Sequence, residues 1–175
     1  MRCMNEIKLR GLKEKDIPGM LEWMHDPDVN RWFRFDAASM TEERVKDFIS
    51  GSFTELNRHY AVTDDTDEYL GTISLEEIDQ ENRHALYAIS MRKCVWGSGV
   101  ALTATREVLK IAFHDLQLER VYLNVLSENI RAKRLYEKAG FHYEGCFHRH
   151  LFLNGEWHDW DWFAILKDEF YAGNN

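Results

Sequence analysis

Apolar and charged positions alternate at the start of the chain, where Ile7, Leu9 and Gly11 are interleaved with charged residues, and this predicts a first strand. Asp16 with Pro18 just behind it marks a helix start, and Met20, Leu21 and Met24 follow on one side. Asp26-Pro27-Asp28 breaks that pattern, and the aromatic run Trp32, Phe33 and Phe35 lacks helical spacing. Thr41 is placed to cap a second helix, with Glu42 and Glu43 in its first turn, that runs to about Asn57. Residues 59–63, 69–78 and 83–91 predict three strands of an antiparallel meander. Ala101, Thr105, Val108, Leu109, Ala112, Phe113 and Leu116 then recur with the helical period. Val121, Leu123 and Val125 alternate as a strand. Ala132, Leu135, Tyr136 and Ala139 mark a shorter helix closed by Gly140. Asn154-Gly155 between two aromatic-rich runs is a type I′ hairpin signal. The predicted order is β-α-α-β-β-β-α-β-α-β-β, a mixed sheet with helices. Residues 84–126 form a strand–helix–strand unit whose two strands are expected to be parallel, joined by a right-handed crossover.

Composition bounds this picture. With 175 residues, 45% apolar and 30% charged, and no Gly/Ser-rich linker, the chain is expected to fold as one domain over 1–175. Twenty-two basic against thirty acidic residues leave a net charge of −8, which argues against a nucleic-acid binder working through phosphate contacts and suits a cationic small molecule. Cys3, Cys94 and Cys146 are odd in number and widely spaced, so they read as reduced thiols of a cytoplasmic protein. No apolar leader and no run approaching 18 apolar residues is found, so neither secretion nor membrane insertion is expected. The sequence has no P-loop and no HExxH.

Candidate chemistry begins at Trp96-Gly97-Ser98-Gly99-Val100-Ala101, between a strand and the long helix. Two glycines allow close backbone approach, and the N–H groups opening the helix can face an anion, such as a pyrophosphate. A tight strand-to-helix turn is the alternative reading. The third glycine and the ribose-binding acid of a dinucleotide site are both missing, which disfavours a nicotinamide enzyme. Asn129 ends the next parallel strand, so it lies at the same sheet edge as the glycine loop, where open α/β sheets bind ligands. Tyr136 follows one helical face later. Taken singly, Asn129 reads as a helix cap and Tyr136 as a core aromatic.

Together these stretches resemble the GCN5-related N-acetyltransferases (GNAT), nearest the branch of ribosomal-protein alanine, spermidine and amino-sugar acetyltransferases. The resemblance rests on Ile7-Lys8-Leu9-Arg10 with Asp16, on Trp23 with Asp26-Pro27-Asp28-Val29, and on Tyr69-Leu70-Gly71-Thr72-Ile73. Its strongest block joins the 96–101 loop, Leu118-Glu119-Arg120-Val121, Asn129-Ile130-Arg131-Ala132, Leu135 to Phe141, Glu144-Gly145, and Asn154-Gly155 with Asp159. It implies an α/β (or α+β) fold: a mixed, mostly antiparallel sheet of about seven strands flanked by helices, with a parallel pair splayed around the cofactor. It also implies acetyl-CoA as cosubstrate, with the amides of Gly97, Ser98, Gly99, Val100 and Ala101 on the phosphates and Met91 and Asn129 on the pantetheine arm. Tyr136 is then the proton donor to departing CoA. Trp96 stands where the family commonly has Gln or Arg, a change that main-chain contacts tolerate.

An aliphatic amine titrates near 10 and is mostly protonated at neutral pH, so acetyl transfer to it needs a base, orientation and an oxyanion donor. A main-chain N–H near Met91 or Arg92 is the expected oxyanion donor. Branch members often place a carboxylate near this strand end, where Glu77 and Asp79 alternate onto the face of Ile73 and Leu75 and Glu76 onto that of Ser74; Glu77 is the preferred base, ahead of Glu76, with a water chain or another residue as the other route. Direct attack needs no cysteine. His148 and His150, expected on one face of a strand, with His158, Asp159 and Asp161 raise the question of a metal, but His158 and Asp159 alternate to opposite faces, so no metal is expected. The aromatic segment, with Asp28 and Asp36 nearby, is expected to flank an acceptor groove for a small-molecule amine or a protein N-terminal amine; a filler role in the core is the other reading. The Trp157, Trp160 and Trp162 hairpin leaves a homodimer open. The rival from another class is a CoA-binding regulatory domain without catalysis, which would lose nothing on Tyr136→Phe.

Overall fold

In a computed structural model of the protein, residues 6–173 are described; Cys3 lies outside them. The first alternating segment folds as β1 (Lys8–Gly11) and pairs antiparallel with β2 (Arg58–Thr63). Asp16 does not cap the helix that follows. It is buried at the end of a short 3₁₀ turn, where it accepts the Lys13 N–H (2.8 Å) and a bidentate contact from Arg10 (2.7 and 2.8 Å). That pair joins β1 to the start of α1 (Ile17–His25). The Asp-Pro-Asp break opens a further helical turn, α2 (Pro27–Asn30), with the Asp26 carboxylate accepting the Asp28 N–H.

Thr41 caps α3 (Glu42–Ser50) through the Arg44 N–H (3.3 Å). The helix stops at Gly51, well short of Asn57, because Thr54 diverts the chain into a turn by accepting the N–H groups of Leu56 and Asn57. The meander is β2, β3 (Tyr69–Asp79) and β4 (His84–Met91), with Leu75 opposite Tyr87 and Ile73 opposite Tyr60 and Ile89. The long amphipathic segment is α4 (Val100–Lys110), continued by a π-helical turn over 111–115. Then come β5 (Arg120–Leu126), α5 (Ile130–Ala139), β6 (His142–Leu153), β7 (Glu156–Leu166) and a closing helix α6 (Lys167–Ala172) that periodicity had not marked. Asn154 and Gly155 both have positive φ (51° and 85°), as a type I′ turn requires.

The seven strands form one sheet in the order β1-β2-β3-β4-β5-β7-β6. Only β4–β5 is parallel, as the strand–helix–strand unit requires. One face carries the larger core, in which Ile73, Leu75, Val108, Leu109, Phe113, Val121 and Leu123 are fully buried between the sheet and α4–α5. The other face carries a smaller core built from α1 to α3 through Met20, Trp23, Met24, Val29 and Val45.

Of the four places among the described residues where the sheet register slips, two bear on candidate site residues. Glu77 adopts φ 49° where the β3–β4 register slips between Glu76 and Asp79. On β6, Phe147 pairs with Trp160 and Leu151 with His158, so residues 148–150 face Asp159 alone, with Arg149 at φ 50°.

Candidate active site

The parallel pair holds for only three residues. His84, Ala85 and Leu86 pair with Arg120, Val121 and Tyr122, and beyond them β4 and β5 separate. A cleft of about 1070 Å³ passes through this opening, from the glycine loop and α5 on one side to α1, α3 and the aromatic segment on the other.

The open edge of β4 supplies main-chain groups. Arg92 donates its N–H to Leu70 on β3 (2.9 Å), so by alternation Met91 and Ile89 turn theirs toward the gap. The Met91 carbonyl accepts from Trp96 Nε1 (3.3 Å), which leaves the Met91 N–H facing the cleft. Arg92 is thereby removed as an oxyanion donor; Met91 stays.

Gly97 (φ 76°) and Gly99 (φ 87°) take a backbone form that disfavours side chains, and a Cβ built at either would meet no protein atom within 4 Å. Open space therefore lies in front of the loop. Gly97, Gly99 and Ala101 line the cleft, whereas Val100 is packed into the core. Ser98 is committed to the loop itself, because its N–H (3.3 Å) and hydroxyl (2.6 Å) both donate to the Val95 carbonyl. The Val100 N–H donates to Ser98 Oγ (3.4 Å), and the N–H groups of Ala101 and Leu102 that follow have no partner within the helix and add positive potential here.

Across the slot, α5 presents Arg131, Arg134 and Lys138 to the cleft, and none has a carboxylate partner among the described residues. Arg131 lies over the Trp96 ring, 3.2 Å from its centroid, and burial and then Arg31 disfavour its charge. Unneutralised cations beside free helix amides fit the pyrophosphate and phosphate groups of a CoA molecule.

Asn129 caps α5 by accepting the Ala132 N–H (3.2 Å), so the cap reading holds, and its amide NH₂ remains available at the cleft wall. Tyr136 is packed edge-on against Tyr87 and Phe141, at centroid distances of 5.8 and 6.1 Å. Its ring lines the cleft, and its hydroxyl has no hydrogen-bond partner among the described residues. Burial pushes the phenol well above its usual range, so it stays protonated. A buried core tyrosine normally satisfies its hydroxyl. This one leaves its hydroxyl without a protein partner at the cleft.

On the acceptor side the structure separates the three acids. Thr72, Ser74 and Glu76 line the cleft on one face of β3, while Ile73 and Leu75 fill the opposite core. Glu77 does not enter the cleft. The bulge turns it outward, exposed, where it accepts from the Tyr122 hydroxyl (3.2 Å) while its N–H donates to Asn57 (3.2 Å). Asp79 is occupied by Asn82. The Glu76 carboxyl is raised by burial first and by Glu77 second. His59, which the sequence reading passed over, sits beside it: Nδ1 lies 2.7 Å from Ser74 Oγ and 3.7 Å from Glu76. Burial lowers this imidazole, so it is neutral at physiological pH. Only the cross-strand pairing of His59 with Ser74 brings it here, a long-range contact that spacing does not encode.

The aromatic segment forms the far wall, where Phe33 packs on Trp23 and Phe35 (both 5.4 Å) and Phe35 remains half exposed. Asp28 is ion-paired with Lys93 and Asp36 caps a 3₁₀ turn through the Ser39 N–H, so neither carboxylate lines the cleft. The β6 bulge turns His150 against Trp160 (5.1 Å, stacked), so it does not share a face with His148, and His158 pairs with Glu128 (2.8 Å). No helix among the described residues is long and apolar enough to cross a membrane.

A family model described as "Acetyltransferase (GNAT) domain" matches residues 6–142. The chain belongs to the GNAT acetyltransferases. Over 171 residues it is 28% identical to an uncharacterised N-acetyltransferase p20 of Bacillus licheniformis, covering 95% of this chain and 96% of that one. It is 29% identical over 173 residues to the spermidine N(1)-acetyltransferase of Vibrio cholerae (95% and 96% covered). Among solved structures, the Vibrio cholerae spermidine N-acetyltransferase in complex with CoA and spermine matches with a TM-score of 0.86 at 25% identity, covering 94% of this chain and 98% of that one. This GNAT chain is accordingly an acetyl-CoA-dependent enzyme that transfers acetyl to an amine.

Proposed function

We propose that the acceptor is a primary amine on an apolar stem, a small-molecule monoamine or an apolar peptide N-terminus, with Glu76 as its base and Tyr136 as the proton donor to CoA. The observation that carries this reading is the division of charge along the cleft. The α5 end holds three unpaired cations. The other end is lined by Met20, Trp23, Met24, Phe33, Met40 and Phe48, with Glu76 as the only acid among the described lining residues. A linear polyamine carries two or more cationic centres, and the wall that would face the distal ones offers aromatic rings and Arg34 in place of carboxylates.

Bound acetyl-CoA supplies a thioester-activated acetyl group. The protein's part is to place it and to move protons. The edge of β4 and the Asn129 amide would hold its extended arm by main-chain and amide hydrogen bonds, the glycine loop and α5 would hold its phosphates, and the Met91 N–H would serve as the oxyanion donor. Glu76, its pKa raised toward neutrality, removes the ammonium proton, with His59 and Ser74 alongside to relay it. Tyr136, still protonated, donates to the leaving sulfur. Orientation of the amine against the acyl carbon supplies several kcal/mol of the acceleration.

An acceptor screen reading free thiol release tests the assignment. Phenethylamine, aliphatic monoamines, Ala- and Ser-starting peptides, amino sugars, aminoglycosides, spermidine and spermine are compared by kcat/KM. An apolar monoamine or peptide is expected to exceed spermidine at least tenfold. A preference for spermidine would overturn the acceptor assignment, and no turnover with any amine would favour the non-catalytic CoA-binding alternative.

A further inference from the structure

Away from the cleft, on the face of the β6–β7 hairpin that meets α5, three ligand-type side chains converge. Cys146 Sγ lies 3.8 Å from His148 Nδ1, and His148 Nδ1 lies 2.9 Å from Asp159 Oδ2. All three donor atoms fall within 4.8 Å of one another. Both neighbours approach the same ring nitrogen. A nucleophile–imidazole–carboxylate relay needs the two partners on opposite nitrogens, so this arrangement is not a cysteine triad. Donors gathered around one point are what a metal ion requires.

The strand geometry produces the convergence. Cys146 pairs with Asp161 across the hairpin, and the next residues on that face are His148 and Asp159. The bulge at 148–150 then fixes Asp159, whose Oδ1 accepts the Arg149 N–H (2.7 Å) and whose Oδ2 points at His148. Asp161 is already neutralised by Lys133 (2.5 Å) and bound by the Ser127 hydroxyl (2.7 Å). The Asp159 carboxylate, together with the Cys146 sulfur once a bound cation displaces its proton, would match the charge of one divalent ion.

We propose that Cys146, His148 and Asp159 bind a single divalent, thiophilic metal ion of the zinc type, with water in the fourth position. Tetrahedral zinc holds sulfur and nitrogen or sulfur and oxygen ligands about 3.5 Å apart and nitrogen and oxygen ligands about 3.3 Å apart, so the three donors, which lie within 4.8 Å of one another, need side-chain shifts of up to about 1 Å, the largest bringing Sγ toward Asp159, to close on one ion. The expectation of no metal, drawn from the opposite faces of His158 and Asp159, does not apply to this set, because His158 takes no part in it.

Tag-free protein titrated with Co²⁺ tests the site by spectroscopy, and Zn²⁺ titration by calorimetry measures its affinity. The expected result is one equivalent bound, with a thiolate-to-cobalt charge-transfer band that disappears in Cys146→Ser. Asp159→Asn is expected to weaken Zn²⁺ binding at least tenfold, with acetyl-CoA affinity unchanged as the check on folding. A missing thiolate band, a band that survives Cys146→Ser, or unchanged Zn²⁺ affinity in Asp159→Asn would each overturn the site. If Cys146→Ser does not fold, alkylation of the wild type decides: Zn²⁺ should protect Cys146 and not the exposed Cys94, and equal alkylation of both would refute binding at Cys146.

Discussion

Tyr136→Phe is expected to lower kcat about 10²- to 10⁴-fold, the range of a positioned proton donor, while the dissociation constant for acetyl-CoA stays within about twofold. Phe keeps the ring contacts with Tyr87, Phe141 and Phe163, so packing and the shape of the slot are preserved. Only the unpartnered hydroxyl is removed. Because burial raises this phenol, it remains the acid form across the neutral range, and wild-type activity should show no alkaline loss near an ordinary tyrosine pKa. Steady-state kinetics with thiol detection, paired with calorimetric acetyl-CoA binding, separate the two effects. A variant that retains its turnover would remove Tyr136 from the chemistry.

Glu76→Gln carries the second large effect, a loss of about 10²-fold in kcat/KM at neutral pH. The sign of the pH dependence follows from the raised pKa. A base must be unprotonated, so wild-type activity falls as pH drops through a value above the ordinary carboxylate range, which burial and then Glu77 set. The Gln variant should lack that limb and keep only the rise that follows the free amine toward its own pKa near 10. Glu77→Gln serves as the contrast and should stay within about threefold of wild type, since its carboxylate contacts Tyr122 outside the cleft. Pairs of pH profiles decide the assignment, and the reverse ranking would return the role to Glu77.

That exchange of neighbours shows where a sequence stops being readable. Periodicity identified the meander, the long helix and the strand–helix–strand unit because each buries a face of regular spacing against one continuous core. The glycine loop, Asn129 and Tyr136 were legible for a related reason: a parallel pair joined by a helix brings its carboxyl ends to one edge whatever the details. What failed was local. The Glu77 bulge depends on a single positive φ, and the bulge at 148–150, which divides His148 from His150, depends on one main-chain hydrogen bond to Asp159. Neither leaves a trace in hydrophobic spacing. His59 enters the site only through its pairing across β2 and β3, and Arg10 and Asp16 are six residues apart yet joined because β1 ends beside a 3₁₀ turn. The charge division of the cleft was equally hidden, since a net −8 says nothing of three unpaired cations on one helix.

A crystal structure of the protein with CoA tests the central claim most directly. The phosphates should lie on the amides of Gly97, Gly99 and Ala101 with Arg131 or Arg134 against them, the pantetheine arm along β4 beside Met91, and the sulfur within hydrogen-bonding reach of the Tyr136 hydroxyl. CoA bound elsewhere, or seated in the slot with its sulfur remote from Tyr136, would contradict it.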